Sequence, residues 1–137
     1  MARLRHYTRM SAFVTRLTRV PLPFDPEAGA DLAGRFADLA PELRALLSGA
    51  GGCSPYLKAL CAHEEDWLRP ALARSPEEAL AGVLDSIVPM PADAVAGTLR
   101  RAKRRVALLA GLADLGGVWG LEEVTAALSA LADRATH

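Results

Sequence analysis

Residues that favour strands are scarce in this chain. Val, Ile, Phe, Tyr and Trp are few, and although 51% of the residues are apolar, most of these are Ala and Leu. Ala and Leu lose little side-chain entropy on becoming helical, so this balance favours helices over sheets. No segment alternates as a half-buried strand would. Cysteine is also scarce. Cys53 and Cys61, with only His63 nearby, cannot supply the four close ligands of a structural zinc site or a disulfide framework. They read as small apolar filler, a use of cysteine that suits a reducing cytoplasm. No apolar run is long enough to span a bilayer; the longest, residues 106–113, falls well short of ~20 residues. Excess charge is lacking too. Lys plus Arg and Asp plus Glu are 16 each, which gives no reason to expect a polyanionic partner.

The charge that is present comes in blocks. Residues 1–20 carry Arg3, Arg5, Arg9, Arg16 and Arg19 and no acid, whereas residues 25–42 carry Asp25, Glu27, Asp31, Asp38 and Glu42 against Arg35 alone. An acid-free, Arg-rich start resembles a transit peptide in composition. Met10 offers an alternative start, with residues 1–9 as an upstream extension. A second basic block comprises Arg100, Arg101, Lys103, Arg104 and Arg105.

At 137 residues the chain is sized for one domain. We expect a basic, Pro-rich arm over 1–26, partly disordered, and a helical domain over 27–137. The expected fold is all-α: an irregular bundle of five to six helices, one of them long, over about 92–115. Prolines and glycines set its boundaries. Pro41 should break a stretch from Glu27 to Leu47 into two helices. The run Ser48-Gly-Ala-Gly-Gly-Cys53 reads as a flexible linker, and Ser54-Pro55 opens the next helix. The acids Glu64, Glu65 and Asp66 read as a solvated helix start, limited or kinked by Pro70. Ser75 and Glu78 have the spacing of a capping box, and that helix should stop before Pro89. In the long helix, Val95, Leu99, Ala102, Val106, Leu109 and Ala113 form a 4-3-4-3-4 seam, which Gly116-Gly117 should end. A last helix over 121–135 should turn Val124, Leu128 and Leu131 inward.

No catalytic site assembles from these residues. The run at 63–66 lacks the second His of a helical metalloprotease motif, and nothing orients His63; His6 and His137 lie near the ends. The Gly-rich run follows no strand, so a phosphate-cradling loop is not indicated. Asp114 reads as a surface residue near the end of the long helix. The basic block is the one candidate contact surface, with Arg100, Arg101, Arg104 and Arg105 as interdomain or phosphate contacts. No aromatic residue interleaves with it to stack on bases, which argues against nucleic acid.

Three stretches carry a family resemblance: LTRVPLPFDP at 17–26, CSPYL at 53–57 and, most specifically, LRRAKRRVALLAGLADLGGVWGLEEVTAALSALAD at 99–133. Together they resemble the N-terminal segment of the bifunctional glutamine synthetase adenylyltransferase/adenylyl-removing enzymes. That resemblance covers roughly residues 10–135. It implies a cytoplasmic parent enzyme that attaches AMP from ATP to glutamine synthetase, removes it by phosphorolysis, and answers to a PII signalling protein. It also implies Mg²⁺ and ATP for that parent, a downstream nucleotidyltransferase domain in cis, and neither nucleic acid nor membrane as partner. The family's paired catalytic Asp residues have no counterpart here, since the chain contains no Asp-x-Asp. The resemblance therefore implies a structural, non-catalytic segment with no cofactor of its own. The alternative is a free-standing helical protein-interaction module.

Overall fold

The computed structural model describes residues 12–87 and 91–136. The proposed start at Met10, and His6 and His137, lie outside the described residues; the helix opened by Ser75 ends at Asp85, ahead of Pro89 as expected. After a 3₁₀ turn at Phe13–Arg16 come seven α-helices: α1 (Pro26–Arg35), α2 (Pro41–Cys53), α3 (Pro55–His63), α4 (Glu65–Leu72), α5 (Pro76–Asp85), α6 (Ala92–Leu115) and α7 (Leu121–Ala135). This is the expected all-α class with one helix more than the upper expectation, and no strand occurs among the described residues.

The helix starts follow from local chemistry. Asp25, Ser54 and Ser75 each accept a hydrogen bond from a backbone N–H in the first turn, and a Pro follows each of them. Ser75 and Glu78 form the expected capping box. Pro41 separates α1 from α2 by opening α2. Pro70 does not stop α4, which continues to Leu72. α6 ends as expected: Gly117 takes φ +66, its N–H reaches Asp114 O at 3.1 Å, and the Val118 N–H reaches Ala113 O at 2.8 Å.

The expected linker at 48–53 is helical, because α2 runs through it to Cys53. Its glycines are buried where α1 and the preceding segment cross α2. A Cβ on Gly51 would stand 2.9 Å from Leu32 Cβ, and one on Gly52 would stand 2.7 Å from Asp25 O and run into Pro23. These positions are bare because two backbones meet there, and close packing offsets the poor helix propensity of Gly. α1 and α2 are accordingly the most closely packed pair in the molecule.

α6 is the hub, packing on α2, α3, α5 and α7. Its second half is the centre of the core, with Val106, Leu108, Leu109 and Leu112 fully buried. The expected seam holds from Ala102 to Ala113. It fails at its start, where Val95 and Leu99 are only half-buried because the first half of α6 projects past most of its neighbours. In α7, Leu131 is buried and Val124 half-buried as expected, but Leu128 is exposed and Ala127 takes the inward place one residue earlier. Cys61 is core filler, whereas Cys53 is exposed at the end of α2, where its Sγ donates to Leu22 O.

From Ala12 onward the expected arm packs on the helices. Phe13 is buried and donates its N–H to Arg74 O. Arg16 and the Trp119 indole both donate to Glu77, which joins the 3₁₀ turn, α5 and the α6–α7 loop. Arg19 donates to the carbonyls of Asp114 and Leu115 at the end of α6. Asp114 itself is exposed, as expected.

Candidate functional site

Where α3 passes into α4, the chain needs one residue that belongs to neither helix, and Glu64 occupies it. Its backbone N–H caps α3 by donating to Leu60 O at 2.8 Å. Its side chain turns inward and is 5% exposed. A carboxylate in that position must be paired to stay charged. The middle of α6 lies opposite. Arg105 donates through Nε to Glu64 Oε1 at 2.7 Å, and Arg104 donates through Nε to Oε2 at 3.2 Å. Burial pushes the Glu64 carboxyl up, but the bonds and charges of Arg105 and Arg104 together outweigh it and hold the group below its ordinary value. This corrects the reading of Glu64 as a solvated acid. It was missed because its partners stand 40 and 41 residues away in sequence.

Around this ion triad lies an open cleft of about 520 Å³, lined on one side by residues 62–67 and on the other by Arg101, Arg104 and Arg105. Trp67 forms part of the floor, with the Arg105 guanidinium carbon 5.3 Å from its ring centroid. His63 Nε2 stands 3.8 Å from Glu64 Oε2 at the exposed edge. Glu65 is engaged outward by Arg69 and Arg35, at 3.1 and 3.5 Å. Arg69 also bonds Asp38, reaches Arg35 O at 2.6 Å and lies over the Phe36 ring, fastening α4 to the α1–α2 turn.

The structure thus divides the four arginines of the expected contact surface. Arg104 and Arg105 are turned inward onto Glu64, while Arg100 and Arg101 are exposed and form no ion pair among the described residues. The cleft can hold charged groups in place, but it brings no nucleophile together with an oriented base. Among the described residues no three His, Cys, Asp or Glu converge to hold a metal ion. No helix among them is long and apolar enough to cross a membrane.

No protein-family profile matches the chain, and no solved structure does. Whole-sequence relatives are clear. The chain is 34% identical, over 93% of its length, to the bifunctional glutamine synthetase adenylyltransferase/adenylyl-removing enzyme of Rhodopseudomonas palustris. It is 32% identical over 96% of its length to the protein of that description in Caulobacter vibrioides, and 33% identical over 85% to that of a Bradyrhizobium strain. It spans only 15%, 14% and 12% of those three proteins. Across nearly its whole length, the chain is a relative of one segment of the bifunctional glutamine synthetase adenylyltransferase/adenylyl-removing enzymes.

Proposed function

We propose that the chain is a non-catalytic helical support for a nucleotidyltransferase domain, part of a larger cytoplasmic enzyme that adenylylates and deadenylylates glutamine synthetase. The observation that carries this reading is the match itself, which takes in almost all of the chain and about a seventh of each relative. The polar groups of the cleft agree with it, because they join α3, α4 and α6 to one another. In this reading ATP, Mg²⁺, glutamine synthetase and a PII signalling protein engage other parts of that enzyme. The domain order is a helical unit over 27–137 with its arm, followed by the nucleotidyltransferase domain.

Exposed apolar side chains support a role against more protein. Pro21 and Pro23 pack on the glycines of α2, and between and beyond them Leu22 and Phe24 stand 86% and 92% exposed. Tyr56 and Leu121 are exposed as well. Such residues would also serve a free-standing interaction module, the second reading. Of the basic block, Arg100, Arg101 and Lys103 are exposed and available to a neighbouring domain.

The first prediction tests the non-catalytic part. The purified chain, given adenylylated glutamine synthetase and phosphate, should release no ADP. Given unmodified glutamine synthetase, ATP and Mg²⁺, it should transfer no AMP. Either product above the enzyme-free blank would overturn the proposal.

A further inference from the structure

We infer that the cleft between the α3–α4 junction and α6 is a phosphate-binding site, formed by the guanidinium groups of Arg101, Arg104 and Arg105. This deepens the reading of the basic face as a contact surface and does not depend on the enzyme family. Arg104 and Arg105 each meet Glu64 through Nε, and their terminal Nη groups have no hydrogen-bond partner among the described residues. Both side chains remain partly open to solvent, at 35% and 27%. Glu64 therefore acts as a positioning residue. It fixes two guanidiniums by one edge and leaves the other edge free, so less side-chain freedom is lost when an anion arrives. Arg101 lies one turn back on the same face of α6, at spacings of three and four, exposed and lining the same cleft. Trp67 holds Arg105 from below.

Three forks suit a tetrahedral oxyanion better than a carboxylate. One carboxylate has two oxygens in a single plane and is largely satisfied by one bidentate fork; a phosphate offers three or four oxygens in several directions. The acids lining the cleft bear on the affinity. Glu64 offsets one guanidinium, Glu65 is held outward by Arg69, and Asp66 is exposed on the rim and opposes the anion. His63 is at the same rim. The site should therefore bind weakly and be sensitive to salt.

The test uses the ¹⁵N-labelled full chain, titrated with inorganic phosphate at neutral pH and constant ionic strength, with acetate as the carboxylate comparison. The expected result is a saturable shift of the Arg104 and Arg105 Nε–H signals and of the Trp67 indole signal. Acetate should bind more weakly, and Arg101→Ala should weaken phosphate binding about tenfold, as loss of a charge-assisted fork would. The Trp119 indole, bonded to Glu77 outside the cleft, reports whether the variant keeps its fold. A linear, non-saturating response, an unchanged affinity in Arg101→Ala with Trp119 in place, or equal binding of acetate would overturn the assignment. None of these results would touch the support reading, which the glutamine synthetase assay tests separately.

Discussion

Glu64 sits where a single atom change has the clearest consequences. Glu64→Ala leaves two guanidiniums facing a partly buried gap. Removing one member of a fully buried pair typically costs 3–5 kcal/mol, roughly. Because Arg104 and Arg105 are about a third exposed, water can relieve part of that, and we expect about 1–3 kcal/mol. Glu64→Gln should cost less, since it keeps the shape and one acceptor. Urea denaturation of the three proteins checks the order, and a Gln variant as unstable as the Ala variant would show that the charge alone matters at this position and that the retained shape and acceptor contribute nothing. Cys61 marks the opposite case. Burial alone pushes its thiol up to about 12, which suits inert filler rather than a nucleophile.

Among the elements, the two glycine-bearing helices give predictions of opposite sign. Gly52→Ala in α2 drives a methyl group into Pro23 and Asp25 O, which are backbone-anchored, and should destabilise by roughly 1–3 kcal/mol. Gly97→Ala in α6 meets nothing and should stabilise by about 0.5–1 kcal/mol through helix propensity. Thermal melts of the two variants should move in opposite directions. This contrast also shows what was legible in the sequence. α6 and α7 could be bounded closely because their stop and start signals are local: Gly116-Gly117 at one end, and the first-turn acids Glu122 and Glu123 at the other. The glycines at 49, 51 and 52 were misread because Gly disfavours a helix in isolation. Only the crossing of α1 over α2, a contact made in three dimensions, turns its missing side chain into an advantage. The candidate site was half legible for the same reason. The spacing of Arg101, Arg104 and Arg105 along α6 put them on one face, but nothing local marked Glu64 as the acid beneath them.

At the scale of the whole molecule, ion pairs fasten the helix layers, and their acids share one direction of shift. Lys58 holds Asp31 low through a hydrogen bond and its charge, and Arg69 does the same for Asp38. In Glu77, as in Glu64, burial pushes upward and is outweighed, here by Arg16 and the Trp119 indole. Each of these carboxylates binds a proton less readily folded than unfolded. Their contribution is present above the ordinary carboxylate range and is lost as pH falls through their lowered folded values. Stability measured by denaturant should therefore be flat near neutrality and fall below the ordinary carboxylate range. The fall should be shallower in Glu64→Gln, which removes one of the four groups, and an equal slope would show that Glu64 contributes nothing to it.

The same scale holds the central claim, that these helices support a nucleotidyltransferase domain and do not act alone. The most direct measurement compares three forms of the Rhodopseudomonas palustris relative: intact, lacking the segment that matches this chain, and with this chain in that segment's place. The activities followed are AMP transfer to glutamine synthetase and its removal. The account predicts that deletion cuts at least one activity sharply and that the replacement restores most of it, with less restored when Arg100 and Arg101 are changed to Glu. Full activity after deletion, or a folded replacement no better than the deletion, would contradict it.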